Sequence, residues 1–426
     1  MSFSGTKIWN GAAALAFCCF LFLMAVRPAQ GQTETVLYSF GAAPDGALPG
    51  YVTPIFDAEG NLYGTTVHSG YYYHGTAFEL TPSGTEAVLW SFGNGTDGQY
   101  PSSGLVFDAE GNLYGTTSGG GAYGGGTVFE LSPPSGGSGS WTETILHSFG
   151  AEKDGAYPVA SLILDAGGNL YGTTFSGGAY GGGTVFELSA PAGDEGSWTE
   201  TILRSFGNGT DGNTLCAGVV FDTQGNLYGT TYYGGAYYCS GYGCGTVFEL
   251  SPPSGGSGSW TETILHSFGA EKDGASPVAS LILDAGGNLY GTTSYGTGSG
   301  CRATCGVVFK VTPSGTETIL HKFNFKEGYR PVAPVIMDAD GNLYGTTTSG
   351  GTYGNKACDH SGCGTVFELT PTKKRWTETI LHSFDQNGTD GINPGGGLVF
   401  DAEGNLYGTT TSGGAYSYGI VFKVTP

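Results

Sequence analysis

The hexapeptide Asn-Leu-Tyr-Gly-Thr-Thr begins at residues 61, 112, 169, 226, 288, 342 and 405, at intervals of 51 to 63 residues. Seven copies in register rule out a chain of unrelated domains. Self-similarity of this kind means that one supersecondary unit recurs, and such a unit hides its apolar surface only by packing on its neighbours. The third copy shows how long the unit is. It reads WTETILHSF (141–149), a loop to residue 158, VASLILDA (159–166), GGNLYGTT (167–174), the loop FSGGAYGGG (175–183) and TVFELS (184–189).

Each unit therefore holds four short apolar segments, rich in β-branched and aromatic residues and bounded by Gly, Pro, Asp or Ser. None is long or periodic enough for a helix, so they read as strands. SLIL and NLYGTT are linked by Asp-Ala-Glu-Gly-Asn or a close variant, a hairpin turn that needs positive φ at its glycine. That conformation is predicted at Gly60, Gly111, Gly168, Gly225, Gly287, Gly341 and Gly404. Four antiparallel strands in roughly 57 residues are far too many for a coil of a β-helix and fit one propeller blade with its loops. TVFEL and SLIL lack the in/out alternation of a sheet wetted on one side, as expected where neighbouring blades cover both faces.

The expected fold is all-β, a seven-bladed β-propeller of four-stranded antiparallel blades in a single domain from residue 32 to 426. The blades fall at about 50–92, 101–149, 157–206, 215–268, 276–323, 331–384 and 394–426 plus 33–40. The last of these assignments follows from the ends. TETVLYSF (33–40) is equivalent to TETILHSF (142–149), whereas the final unit supplies only three strands, so residues 33–40 are expected to pair with 419–426 and close the ring. Residues 132–174 and 251–293 differ only at Tyr157 versus Ser276, which indicates recent copying of a two-blade unit.

Composition narrows the function. Charged residues make up 12% of the chain against about 25% in an average soluble protein, while Gly reaches 80 and Tyr 26, so Gly, Ser, Thr, Asn and Tyr must build much of the surface. A net charge of −21 with 15 Lys+Arg excludes nucleic acid and anionic membrane surfaces as partners, since phosphate binding needs clustered cations. The Lys373-Lys374-Arg375 run reads as a solvated loop. Residues 1–31 differ from the rest: Lys7, an apolar stretch at 12–26 and Ala29-Gln30-Gly31 before Gln32 read as a cleaved secretory signal, leaving no membrane span afterwards.

Of the nine cysteines, Cys18 and Cys19 fall in that signal and six others form close pairs, Cys239/Cys244, Cys301/Cys305 and Cys358/Cys363, in corresponding Gly- and Tyr-rich loops. In an exported chain these read as disulfides. A metal reading exists for Cys358, His360 and Cys363, but the other two pairs lack a histidine. Cys216 is left over, either buried or free and reactive.

The combination D-A-x-G-N-L-Y-G-T-T, a Gly-rich loop and G-T-V-F-E-L resembles the Gloeo/Verruco (GloVer) tandem repeat of exported bacterial proteins, over essentially the whole chain after the signal. The resemblance implies an extracellular or cell-surface location and lends no catalytic residues. Members often carry a C-terminal sorting or anchoring segment, whereas this sequence stops at Pro426 directly after its last strand.

With strands ordered from the axis as SLIL, NLYGTT, TVFEL and TETIL, the loops entering SLIL and those leaving NLYGTT share one face. That face is expected to collect an acidic ring near the axis, Asp45, Asp97, Asp154, Asp211, Asp273, Glu327 and Asp390, and an aromatic set, Tyr71, Tyr72, Tyr73, His74, Tyr123, Tyr180, Tyr237, Tyr238 and Tyr416. The acidic ring reads either as a cation or catalytic site or as turn chemistry, and its recurrence in every blade favours the turn role. Asp57 and its equivalents, on the opposite face, read the same way. Exposed tyrosines offer rigid faces for stacking, pointing to an extracellular glycan or a surface protein as ligand.

His147, His266, His321 and His382 share one outer-strand position with Tyr38, Trp90 and Arg204, a pattern read as tolerated bulk. His68, His74 and His360 are unrepeated and are the imidazoles to test for chemistry. No nucleophile elbow, phosphate loop or repeated metal-ligand spacing appears, so neither catalytic residues nor a metal or cofactor are expected. The leading reading is a binding or scaffold propeller. Its rival is a secreted polysaccharide-acting enzyme that uses carboxylates or histidines on the same face.

Overall fold

The computed structural model describes residues 33–136, 139–151, 153–191, 196–239, 241–255, 258–269, 273–296, 305–352, 358 and 361–426. The expected signal segment, Cys301 and His360 lie outside the described residues. Among those described, no helix is long and apolar enough to cross a membrane.

Seven four-stranded antiparallel sheets form the blades. Blade 1 comprises Ile55–Phe56, Leu62–Thr66, Thr76–Leu80 and Glu86–Ser91, hydrogen-bonded in that order. Blades 2 to 6 repeat it over 106–148, 163–205, 220–267, 282–322 and 336–383. Blade 7 takes three strands from the C-terminal end, Val399–Phe400, Leu406–Thr409 and Ile420–Thr425, and its outermost strand from the other end, Thr33–Ser39. Thr33 lies opposite Thr425 and Ser39 opposite Ile420, so the ring is latched as the sequence predicts.

Every residue of the hexapeptide has a local reason. In blade 1, Asp57 accepts from the Asn61 backbone N–H and side chain and from the Tyr63 hydroxyl, which fixes the turn between the two inner strands. The turn glycine is left-handed in all seven copies, with φ from 74° to 88°. Leu62 is buried. Gly64 lies under the Phe78 ring, where an added Cβ would sit 2.8 Å from Cζ, so no other residue fits.

Thr65 and Thr66 divide their bonding. Thr66 pairs with Thr76 within the blade, whereas Thr65 Oγ1 donates to the Ser103 carbonyl of blade 2. The equivalent bond recurs from blade to blade around the ring and ends with Thr409 Oγ1 donating to the Pro49 and Val52 carbonyls of blade 1. Between blades, a phenylalanine just past each outermost strand meets one in the third strand of the next, from Phe40 on Phe78 to Phe384 on Phe422, with centroids 4.9 to 5.1 Å apart. These rings are buried, and burying one fully is worth about 1.5–3 kcal/mol. The core is therefore a set of seven interblade clefts.

Candidate functional site

The short pairing of Gly46–Ala47 with His68–Ser69 ties the loop entering the innermost strand of blade 1 to the loop leaving its second strand. Blades 2, 3 and 7 repeat this pairing, and blades 4, 5 and 6 replace it with single bridges, so the two loop sets share one face, as expected. At the centre of that face is an axial cavity of about 480 Å³ to which all seven blades contribute. Its wall is made by residues just before the innermost strands, including Tyr51, Ser102, Ser161 and Cys216, and just after the second strands, including Tyr232, Tyr295 and Thr411. Among the described residues, Arg330 is the one charged member of the lining, and no Asp or Glu belongs to it. Burial, and then the neighbouring Tyr295, push the Tyr232 hydroxyl up to about 12, so it is a neutral donor at physiological pH. Cys216 is free, and burial pushes its thiol up to about 12 as well, which makes it an unreactive wall residue.

One position, of which Arg330 and Asn393 line this cavity, recurs in every blade with left-handed backbone and no glycine. It is occupied by Leu48, Tyr100, Tyr157, Thr214, Ser276, Arg330 and Asn393, with φ between 57° and 63°. Left-handed non-glycine residues persist only where the surroundings impose them. Here two bonds impose the geometry: the Tyr100 N–H donates to the His74 carbonyl of the preceding blade, and the Tyr100 carbonyl accepts from Ser118 of its own. The other six copies make the same pair of bonds. An invariant backbone frame thus carries six different side chains in seven blades, and Tyr157/Ser276, the single difference between the two copied segments, falls on it.

The tyrosines lie where the sequence places them. Tyr71 and Tyr73 are each 71% exposed and Tyr238 is 89% exposed, and Tyr72, Tyr123, Tyr180, Tyr237 and Tyr416 are exposed too. Sequence reading omitted Tyr51, Tyr157 and Tyr242, which are likewise exposed. His68 and His74 converge on Tyr100, with ring centroids 5.5 and 5.2 Å from it, and His74 Nδ1 is held 2.6 Å from the Tyr72 carbonyl.

The three cysteine pairs fare differently. In blade 4, Tyr233 packs on Tyr232 and Tyr242 beside the Cys239–Cys244 disulfide. Cys358–Cys363 is also a disulfide, so those two sulfurs are not metal ligands. The Cys301–Cys305 pair is seen from one side only. Cys305 is fully buried and disulfide-bonded, whereas Cys301, the partner that the sequence predicts for it, lies outside the described residues. This third bridge therefore has no described geometry, unlike the other two.

The acidic ring is not near the axis. Each acid sits beside the outermost strand of the blade before it, in an interblade cleft, and all but Glu327 accept from the donor residue of that strand. Asp45 bonds the Tyr38 hydroxyl at 3.0 Å, Asp97 the Trp90 Nε1 at 3.2 Å and Asp211 the Arg204 guanidinium at 3.1 Å. Asp154, Asp273 and Asp390 lie 3.2, 3.0 and 3.2 Å from His147, His266 and His382. Reading that outer-strand position as tolerated bulk is therefore wrong: Tyr, Trp, Arg and His have different sizes and a common ability to donate. Sequence reading also missed the third member of each cleft, the Glu of Thr-Glu-Thr (Thr-Glu-Ala in blade 1) on the next blade's outermost strand. Burial first, and then the facing aspartate, raise Glu86 to about 7, Glu200 to about 8 and Glu143 to about 9. At Glu143–Asp97 and Glu200–Asp154 the raised carboxyl is placed to hydrogen-bond the facing aspartate, and these acid pairs fasten blade to blade.

The Asp57 set does serve turns. For Asp284, burial opposes ionisation, but hydrogen bonds from Asn288, the backbone and Tyr290 outweigh it and hold the carboxyl below its usual range.

Solved structures share the architecture. The extracellular domain of a protein described as a hybrid two-component system from B. thetaiotaomicron matches at 12% identity and a TM-score of 0.50, over 92% of this chain and 39% of its own. An ancestral GH74 enzyme matches at 10% identity and a TM-score of 0.54, over 89% of this chain and 48% of its own. The chain thus spans about two fifths to one half of these structures, and identities so low establish the fold alone. No curated protein matches the sequence. The Gloeobacter/Verrucomicrobia repeat profile matches residues 22–140, 51–303 and 297–426, and the chain belongs to that repeat family.

Proposed function

We propose that this chain is an exported binding propeller that holds a glycan on its tyrosine-rich face, centred on the axial cavity. The observation that carries the reading is the contrast between frame and rim: the left-handed position keeps its backbone bonds in all seven blades while its side chain takes six identities, Tyr alone occurring twice. Exposed tyrosines on bonded turns supply large, stiff contact area with a polar tip, which suits sugar faces. Export is supported by the apolar segment at 12–26 and by the Cys239–Cys244 and Cys358–Cys363 disulfides, which persist in oxidising compartments. Hydrolysis of a polysaccharide would need two carboxyl groups about 5–9.5 Å apart facing the substrate. The acids that could supply them are committed to the clefts, and among the described residues none lines the cavity.

The test is a glycan-array screen of the exported protein beside a Tyr71→Ala/Tyr72→Ala/Tyr73→Ala variant and an Arg330→Ala variant. Binding that falls at least tenfold in either variant is expected. Binding unchanged in both, or no binding to any glycan, would overturn the reading, the second outcome in favour of an envelope scaffold or a protein ligand. Release of reducing sugar would favour an enzyme.

A further inference from the structure

In six of the seven interblade clefts the aspartate is tied down. It accepts at least one backbone N–H from its own loop and is bonded to the donor of the outer strand. The cleft between blades 5 and 6 is different in three independent ways. Its acid is Glu327, one methylene longer than the Asp elsewhere. Asn324 Oδ1 accepts from Lys326 and Glu327 N–H at 3.0 and 3.3 Å, as Asn387 does from Thr389 and Asp390, but unlike Asp390 the Glu327 carboxylate has no backbone donor among the described residues. And its histidine makes no hydrogen bond through Nε2, although that atom is buried.

Around that nitrogen two carboxylates stand off. Glu327 Oε2 lies 3.5 Å and Glu378 Oε2 3.7 Å from His321 Nε2, and the three groups can present ligand atoms within 4.8 Å of one another. Two other clefts bring a His, an Asp and a Glu as close together, but there Nε2 is already bonded to the aspartate. The Glu378 side chain is only 6% exposed, and its Oε1 is buried without a partner. Separations of 3.5 and 3.7 Å are long for hydrogen bonds. They are close to about 3.4 Å, the edge of a tetrahedron whose metal–ligand bonds are about 2.1 Å. Charge points the same way. In the cleft between blades 3 and 4, the Arg204 guanidinium bridges the equivalent acids, lying 3.1 Å from Asp211 and 2.5 Å from Glu262. Between blades 5 and 6 the described residues supply two carboxyl groups and an imidazole, with no guanidinium between them.

We propose that His321, Glu327 and Glu378 bind a divalent transition metal of the zinc class, with Glu327 on the solvent side leaving a fourth position for water. One nitrogen and two carboxylate oxygens suit Zn²⁺ and Co²⁺, whereas Ca²⁺ takes six to eight oxygens. The ion would do between blades 5 and 6 what Arg204 does between blades 3 and 4.

The test is Co²⁺ and Zn²⁺ binding by the full exported chain, read as metal retained after gel filtration and as the visible d–d absorption of bound Co²⁺. Three variants accompany it: Glu378→Gln, His321→Arg, which places in this cleft the guanidinium that another cleft already accommodates, and His74→Ala as a control for surface imidazoles. One Co²⁺ per chain, displaced by Zn²⁺, is expected for the wild type and for His74→Ala. At least a tenfold loss of affinity is expected for Glu378→Gln and His321→Arg, with His321→Arg retaining a cooperative melt. Absence of retained metal in the wild type, or retention unchanged in a folded His321→Arg protein, overturns the proposal.

Discussion

Trp90 Nε1 donates to Asp97 Oδ2 at 3.2 Å, and Glu143 of the next blade closes on the same aspartate. Burial, and then the hydrogen bond and charge of Asp97, raise Glu143 to about 9. The folded protein therefore keeps a proton there that the unfolded chain releases near about 4.3. Because the folded value is the higher one, the stabilisation is complete below the unfolded value and is lost as pH rises toward 9. Glu143→Gln, an uncharged isostere, should melt above the wild type at pH 9 and no higher than it at pH 4. Parallel melting curves across that range would contradict a proton held at Glu143.

The last link of the ring is open to a direct test. Thr409 Oγ1 donates to the Pro49 and Val52 carbonyls across the junction of the two chain ends, at 2.7 and 3.1 Å. Thr409→Val keeps the shape and strips the Val52 carbonyl of its side-chain donor, while Pro49 keeps the Val52 N–H, at an expected cost of about 1–3 kcal/mol. Thr425→Val, which loses a partly buried bond to Asn405, should cost less. Urea denaturation of both variants measures the difference.

Gly229 tests the packing of the hexapeptide. A Cβ there would stand 2.6 Å from Phe248 Cζ, so Gly229→Ala must displace a ring at the heart of blade 4. About 1–3 kcal/mol of destabilisation is expected from overpacking. Gly225→Ala, where nothing lies within 4 Å but φ is 85°, should lose stability through backbone strain alone.

Loop entropy gives a further figure. Removing the Cys358–Cys363 disulfide by Cys358→Ser/Cys363→Ser frees a short loop with a sequence separation of 5, worth about 2 kcal/mol. The expected readout is a lower melting temperature, with the rest of the ring still folding cooperatively.

On the proposed binding face, Tyr157→Ser should leave stability within about 0.5 kcal/mol, as befits an exposed side chain on a bonded frame. It should nonetheless shift the pattern of glycans bound. An unchanged array profile would remove the rim position from the site.

Much of the fold was legible in the sequence, because its determinants are local and repeated. The turn glycine at Gly60 announces itself beside Asp57 and Asn61, and Thr33–Ser39 betrays its place by matching the outer strand of every other unit. The clefts were harder to read. Tyr38, Trp90, Arg204 and His147 share no size or charge, only an N–H or O–H that reaches an acid seven residues later, and comparing bulk hides that. Glu143 and its equivalents were in plain view in Thr-Glu-Thr, but their partners lie in another unit, at distances only the closed ring defines. The cavity was invisible for the same reason, whereas its rim left one trace, Tyr157 against Ser276.

That trace bears on how such a protein changes over time. The copied stretch 132–174 runs from the end of the third strand of blade 2, through its outer strand, and into the first two strands of blade 3, and 251–293 does the same between blades 4 and 5. Duplication carried a seam with its histidine and aspartate already matched, not a freestanding wedge. Lineages that splice at such seams can add or exchange sectors without breaking the joints, and can alter what the protein meets by editing a single rim codon per splice.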